Sequence, residues 1–197
     1  MSNFRRRLMM NFEKKYTPVK YLESTGTQYI DTLVLSKSTL KVILDASIKS
    51  IIRGKGNAIF GVNNRDGGSF GYQINGNTNM LRCDFDKIEP QSSYKVTENT
   101  RHLWKKDKNV NYVDNTIIYT NASREFQTQL SMYLFGKNST SDFGLSQLKV
   151  FNCEIYDSDI LVRNFIPVLD KDGVPCLYDK VEDKFYYNEG SGEFLYE

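Results

Sequence analysis

Apolar and polar residues alternate with a period of two along most of this chain. The segment Leu40–Ile48 has apolar residues at every even-numbered position, and Lys41, Asp45 and Ser47 lie between them. Successive side chains of a β-strand point to opposite faces, so this segment predicts a strand with one buried and one solvated face. Strands of this kind are typical of antiparallel sheets, which can expose one face to water.

The same alternation predicts about a dozen short strands separated by turn sequences. Asn75-Gly76 is expected to form a hairpin turn with left-handed backbone, Asp114-Asn115 a two-residue hairpin turn, and 167–175 a turn-rich link. Because no segment has the period of a long amphipathic helix, the pattern predicts an all-β sandwich. The expected strands span residues 40–48, 58–62, 69–74, 80–85, 102–106, 109–112, 116–120, 131–135, 148–156, 160–166, 176–181 and 184–187.

Composition narrows the chemistry that the chain can perform. Its 197 residues include 13 Tyr and 12 Phe but one Trp and one His. The length fits one domain, and a single His excludes metal sites built from several His ligands. Only His102 could act as the base of a Ser-His-Asp or Cys-His site. Its basic neighbours Arg101 and Lys105 favour a structural histidine over a catalytic one.

Charge is distributed unevenly along the chain. Six basic residues against one acidic residue give residues 1–20 a net charge of +5, which leaves −3 for the rest of a chain whose total is +2. This asymmetry predicts a basic N-terminal arm, extended or a short helix, over residues 1–18, and one domain over 19–197. An arm of this kind fits an acidic partner or nucleic acid, or is simply solvated. The acidic balance of the domain disfavours nucleic-acid binding by the domain itself.

The cysteines and the apolar runs bear on the compartment. Cys83, Cys153 and Cys176 form no Cys-x-x-Cys pair, so reduced thiols are expected rather than a disulfide or a zinc site. The run Leu8–Met10 is too short for the apolar core of a secretion signal. No segment approaches the length of a membrane span, so no membrane contact is expected.

Eight segments of the chain form a recognisable set of motifs: Tyr21–Thr32, Ile59–Gly61, Tyr133–Gly136, Ile155-Tyr156, Leu161–Pro167, Leu177–Asp179, Lys184–Asn188 and Gly190–Phe194. Together they resemble concanavalin A-like (LamG-type) jelly-roll domains of gut bacteria and their phages. The resemblance implies a two-sheet antiparallel jelly-roll sandwich over residues 21–194. Met1–Met10 is similar to the start of proteins of crAss-like phages that infect Bacteroides.

Sandwiches of this class bind glycans, hydrolyse glycosides or build virions. The role of this chain must therefore be inferred from its candidate site residues. Glycoside hydrolysis needs two carboxyl groups about 5–5.5 Å or about 6.5–9.5 Å apart. The candidates are Asp84 with Asp86, and the group Glu154, Asp157 and Asp159. Neither matches the Glu-x-Asp-x-x-Glu motif of the glucanases in this superfamily. We therefore predict that the chain is not an enzyme.

Glycan binding requires an aromatic surface with hydrogen-bonding groups beside it. Trp104 is the candidate platform, although the alternation of His102-Leu103-Trp104 equally fits a core position. The candidate polar groups lie in two loops and are Asn64, Arg65, Asp66, Asn138 and Asp142.

The favoured interpretation is a structural protein of a phage virion, assembled in the host cytoplasm. It would be a capsid fibre, decoration or tail-associated module that can also contact host surface glycan. The arm residues Phe4, Arg5, Arg6, Arg7 and Leu8 would anchor it to other virion proteins through carboxylate pairing and apolar burial. A homo-oligomer, a trimer, is expected because virion parts are usually symmetric. The alternative is a bacterial carbohydrate-binding, lectin-like module without catalysis; no cofactor is expected for either.

Overall fold

Two antiparallel sheets pack face to face in the computed structural model, which describes residues 15–197. The expected all-β jelly-roll sandwich is confirmed, and the described residues contain no helix that could span a membrane. The anchoring residues Phe4, Arg5, Arg6, Arg7 and Leu8 lie outside the described residues.

Within residues 15–197, seventeen strands build the two sheets. The larger sheet has the order β11-β10-β9-β4-β13-β14-β15-β16, with β1 beside β14, β2 beside β13 and β17 beside β2. The smaller sheet has the order β3-β12-β5-β6-β7-β8. The strands are β1 (Tyr16–Pro18), β2 (Leu22–Glu23), β3 (Ile30–Lys37), β4 (Leu40–Ser50), β5 (Gly56–Val62), β6 (Ser69–Asn75), β7 (Met80–Asp86), β8 (Gln91–Lys95), β9 (Arg101–Asp107), β10 (Val110–Val113), β11 (Thr116–Thr120), β12 (Gln127–Leu134), β13 (Gln147–Asp157), β14 (Ile160–Asp170), β15 (Pro175–Asp179), β16 (Lys184–Tyr186) and β17 (Leu195–Tyr196).

The core lies between the sheets and is filled by the alternating apolar positions. In β4 all the predicted inward residues, from Leu40 to Ile48, are fully buried. Each such side chain contributes roughly 1.5–3 kcal/mol on removal from water, which makes the alternation the main determinant of register. The largest fully buried aromatic side chains are Trp104, Tyr72, Phe60, Phe70, Phe85 and Phe135.

Five strands, β1, β2, β3, β8 and β17, are additional to the predicted ones, and several boundaries differ, two of which change how the larger sheet is built. Tyr16–Pro18, assigned to the arm, pairs with residues 168–170 of β14 and therefore belongs to the larger sheet. The segment 167–170, expected as part of a turn-rich link, continues β14 and pairs with β15 on its other side. Proline lacks only the N–H donor, and the Pro167 carbonyl still accepts a 3.1 Å hydrogen bond from Val19 N.

The hairpin predictions had mixed outcomes. Asp114 and Asn115 both have left-handed backbone, with φ of 48° and 66°, so the predicted two-residue turn is confirmed. At Asn75-Gly76 the predicted left-handed backbone is wrong, and in that turn it falls on Asn79 instead, at φ 60°. Gly76 is needed for a close approach: a Cβ there would lie 2.2 Å from the carbonyl oxygen of Ile52.

Candidate functional site

Trp104 cannot be a glycan platform, because it is 0% exposed in the core. Its indole Nε1 donates a 3.2 Å hydrogen bond to the Ala46 carbonyl, and the rings of Tyr72 and Tyr94 pack edge-on against it. The β9 alternation that places His102 and Trp104 on the same side therefore reflects packing. The prediction of Trp104 as a binding residue is wrong.

The structure brings together only some of the polar residues that were predicted to bind glycan. The loop that contains Asn64, Arg65 and Asp66 lies beside Asn138, whose carbonyl accepts a 2.9 Å hydrogen bond from the backbone N of residue 63. Asn64 Oδ1 accepts from Asp66 N, and Asn138 Nδ2 donates to the Ser131 carbonyl, so both amides stabilise loop backbone. Asp142 lies apart from them, in a depression near Lys55.

The carboxylates weighed as catalytic groups have structural partners. Asp84 is buried, accepts a 2.9 Å hydrogen bond from Arg82, and also bonds the backbone N of Glu89. Burial raises the pKa of Asp84, although Arg82 opposes the shift. Asp86 accepts from the backbone N of Gly68.

The second group of candidate carboxylates, Glu154, Asp157 and Asp159, also has partners within the protein. Asp157 pairs with Lys37, whose ammonium lowers the pKa of that carboxyl. Glu154 accepts from the Tyr156 hydroxyl, and Asp159 pairs with Lys41. Among residues 15–197, no group of His, Cys, Asp and Glu side chains is arranged to hold a metal ion.

His102 has a hydrogen-bond partner that could not be identified from the sequence. The β9–β10 hairpin places Asp114 Oδ2 at 2.5 Å from His102 Nδ1. Desolvation opposes ionisation of Asp114, but the hydrogen bonds from His102 and Leu103 N outweigh it and lower the pKa of this carboxyl. The His102 ring packs edge-on against Trp104, and Nε2 is buried without a partner in the described part of the chain. These contacts fit the predicted structural role.

A groove of about 480 Å³ lies where β3 and β12 of the smaller sheet meet β16 and the segment after it. We call it the aromatic groove, because tyrosine and phenylalanine rings form most of its walls. Two carboxylates, one lysine and one aliphatic side chain complete it. Its lining residues are Tyr29, Asp31, Leu33, Tyr133, Lys184, Phe185, Tyr186, Tyr187 and Glu189.

The rings at one end of the groove are held by stacking. The Tyr29 and Tyr133 rings lie 4.6 Å apart and nearly parallel, at 23°. Phe143, 42% exposed, packs against them with its ring centre 5.5 Å from that of Tyr29. Burial raises the pKa of both tyrosines, and the charge of Asp31 raises it further. Their hydroxyls therefore remain protonated donors at neutral pH.

Hydrogen bonds fix the position of Asp31 and of the groove wall that residues 187–189 form. Asp31 accepts from Ser131 Oγ at 2.8 Å and from Leu33 N at 2.9 Å. The backbone N of Glu189 donates to the Tyr29 carbonyl at 2.9 Å, which holds the segment 187–189 against β3. Tyr187, also 42% exposed, anchors its hydroxyl on Asp170.

Leu33 carries backbone strain at the centre of the groove. It is 52% exposed and has φ of 58°, a left-handed conformation that costs an ordinary L-residue about 1–2 kcal/mol. Buried Arg163 holds this segment, because its Nε donates to the Thr32 carbonyl at 3.1 Å and its Nη1 pairs with Glu182 at 2.7 Å. Strain that is supported in this way concentrates at ligand sites.

No family model and no curated protein matches this chain. Its fold is similar to that of a proposed carbohydrate-binding protein from Bacteroides ovatus, with TM-score 0.64 and 8% identity over 91% of this chain. The chain spans 60% of the length of that protein.

A sialidase of Trypanosoma rangeli in complex with sialic acid is also similar, over 62% of this chain and 21% of that one. Its TM-score of 0.43 and identity of 13% are too low to bear on function. The similarity to the Bacteroides ovatus protein therefore supports the sandwich fold alone.

Proposed function

We propose that this chain is a carbohydrate-binding module that holds glycan in the aromatic groove without hydrolysing it. The observation that carries the proposal is the combination of partly exposed rings, with Tyr187 the most open of them, and two carboxylates in one concave site. Sugar rings present apolar C–H faces that pack on aromatic rings, and their hydroxyls donate to carboxylates such as Asp31 and Glu189. The groove volume of about 480 Å³ lies within the range of small-molecule sites.

The similarity to the proposed carbohydrate-binding protein of Bacteroides ovatus agrees with this role at the level of fold. Binding without hydrolysis is part of the proposal: the carboxylates weighed above as catalytic groups do not line the groove, and Asp31 already accepts hydrogen bonds from Ser131 Oγ and Leu33 N. The virion interpretation depends on the resemblance of residues 1–10, which lie outside the described part of the chain, and it stays a prediction. A module on a phage particle could use the same groove to bind host glycan.

The experiment is a glycan array of bacterial surface and plant polysaccharides, probed with the wild type and two tyrosine variants. Tyr187→Ala removes an exposed ring of the groove, and Tyr196→Ala removes a ring that is 50% exposed on β17, outside the groove lining. We expect Tyr187→Ala to weaken binding about tenfold, equivalent to about 1.4 kcal/mol, and Tyr196→Ala to bind like the wild type.

Reducing ends should not appear when the retained polysaccharide is incubated with the protein. Equal loss in the two variants would place binding elsewhere. Failure of the wild type to retain any glycan would overturn the proposed function.

A further inference from the structure

We infer that the ligand is an extended oligosaccharide that leaves the aromatic groove over Phe143 and continues through two further depressions along the smaller sheet. This inference rests on the proposed function and specifies its ligand class. The middle depression, about 350 Å³, is lined by Gly26, Ile52, Lys55, Asp142, Phe143 and Leu145 among others. The amide depression, about 340 Å³, includes Gln73, Asn75, Asn77, Arg82 and Gln91.

Phe143 joins the aromatic groove to the middle depression. Its ring centre lies 5.5 Å from that of Tyr29 and 6.2 Å from that of Tyr133, both of which line the groove. The same ring lines the middle depression beside Asp142. An exposed ring between two concave sites offers a stacking surface to a sugar unit that passes from one site to the other.

Lys55 and Gly56 join the middle depression to the amide depression, because both residues line both sites. Gly56 has no side chain to divide them, and the space that a Cβ would need is taken by the Gln73 amide, 1.4 Å away. The Lys55 side chain is exposed and forms no ion pair with any residue from 15 to 197. Its ammonium is therefore available to hydroxyl or carboxylate groups of a ligand that passes between the two sites.

The amide depression has the chemistry of a polar sugar subsite. Its walls carry the side-chain amides of Gln73, Asn75, Asn77 and Gln91. Their oxygens already accept hydrogen bonds within the protein, whereas their NH2 groups have no partner among residues 15–197 and can donate to sugar hydroxyls. The Arg82 guanidinium is already paired with Asp84 at 2.9 Å, so this subsite does not require an anionic ligand. A chain of neutral sugars can therefore bind in all three depressions.

The loop between the depressions is held in place by the sheet. Ala58 N donates to the Gly144 carbonyl at 2.7 Å, and Lys137 N donates to the Phe143 carbonyl at 2.8 Å. Asp142 Oδ1 accepts from Gly144 N at 2.9 Å, which closes the turn that presents Phe143. Because these hydrogen bonds hold the loop, binding a long chain there costs little ordering of the protein.

The test measures affinity against ligand length by calorimetry. The probes are the cello-, xylo-, manno- and laminari-oligosaccharides, from disaccharide to octasaccharide. For the series that binds, affinity should rise with length until the chain reaches the amide depression. Lys55→Ala and Gln91→Ala should each weaken binding of the octasaccharide about tenfold and leave binding of the disaccharide unchanged. Both side chains are exposed, which separates the result from loss of fold.

Tyr187→Ala should weaken short and long ligands alike, and Lys171→Ala, an exposed lysine outside the lining, should weaken neither. Affinity that is independent of length, or octasaccharide binding that both Lys55→Ala and Gln91→Ala leave intact, would overturn the extended ligand while the proposed function stands. If neither the oligosaccharides nor the array polysaccharides bind, both conclusions fail.

Discussion

The ammonium group of Lys106 lies inside the sandwich and donates a 2.7 Å hydrogen bond to Asn111 Oδ1. Asn111 in turn donates to Asn121 Oδ1 at 2.8 Å, and Asn121 donates to the Cys83 carbonyl at 2.8 Å. This polar chain connects β9 of the larger sheet with β7 of the smaller one. The Lys106 ammonium lies 5.1–5.6 Å from the ring centres of Phe70, Tyr72 and Phe85.

Lys106 should make stability depend on alkaline pH. Burial lowers its pKa to about 8, from 10.5 in an ordinary setting. Between these values the Lys106 amine is protonated in the unfolded chain and neutral in the folded chain, so its own contribution to the free energy of unfolding should rise with pH in this window. Below pH 8 the full cost of charging the buried amine is present, on the order of 3 kcal/mol.

Denaturant melts between about pH 7.5 and pH 9.5 test this dependence as the difference between wild type and Lys106→Met, because the three buried thiols, whose pKa burial raises, affect the pH slope of both proteins. We expect the stability of Lys106→Met relative to the wild type to fall as the pH rises, whereas Lys105→Met, at the partly exposed neighbouring position, should follow the wild-type slope. An unchanged slope in Lys106→Met would contradict the assignment.

The glycines Gly61 and Gly71 face each other on β5 and β6, and neither position should accept a side chain. Their φ angles are 144° and 147°, and a Cβ at either would lie 2.3 Å or less from a backbone oxygen of the opposite strand. Gly61→Ala should lower stability by about 3 kcal/mol or more, since the obstruction is backbone. Gly173→Ala, at φ 82° with open space around it, should cost about 1 kcal/mol from backbone strain alone. Equal melting temperatures of the two variants would argue against this geometry.

The three thiols should be free and unreactive in the folded protein. Cys83, Cys153 and Cys176 are all buried and unpaired. Burial raises the pKa of Cys83 and of Cys176 to about 12 and that of Cys153 as well, so the reactive thiolate is scarce at neutral pH. A thiol reagent such as DTNB should titrate no cysteine in native protein and three in denaturant. A disulfide in non-reducing mass analysis would contradict the expectation.

The fold could be predicted because period-two alternation is a local property of the chain. Thr116–Thr120 was predicted at its observed ends, and Leu40–Ile48 within two residues of them. The short strands β1 and β2 contain too few residues to show alternation. They are stabilised by neighbouring strands: Tyr16, for example, pairs with Asp170, far away in the sequence.

The aromatic groove could not be predicted because its walls come from three distant segments. Tyr29, Tyr133 and Tyr187 look in the sequence like the tyrosines that fill the core, and only packing of the two sheets distinguishes them. The resemblance segments Tyr21–Thr32, Tyr133–Gly136 and Lys184–Asn188 each include a part of the groove, and they are the signal that the sequence offers. The single tryptophan, Trp104, was instead the candidate binding surface, and it lies in the core. The contact between His102 and Asp114 could not be predicted for a similar reason, because only the folded hairpin brings the two residues together.

The N-terminal boundary of the domain should lie between residues 14 and 16. Tyr16 stacks its ring 4.6 Å from that of Tyr178, and β1 pairs with β14. Deleting residues 1–14 should therefore leave the melting temperature unchanged, whereas deleting 1–18 removes the strand and exposes Tyr178. Loss of the aromatic pair alone costs about 0.5–1.5 kcal/mol. The longer deletion should thus lower the melting temperature by at least about 2–4 °C. Tyr16→Ala in the full chain should reproduce part of that loss. Equal melting of the two truncated proteins would show that β1 contributes nothing, and the arm would then extend to residue 18 as the charge pattern predicts.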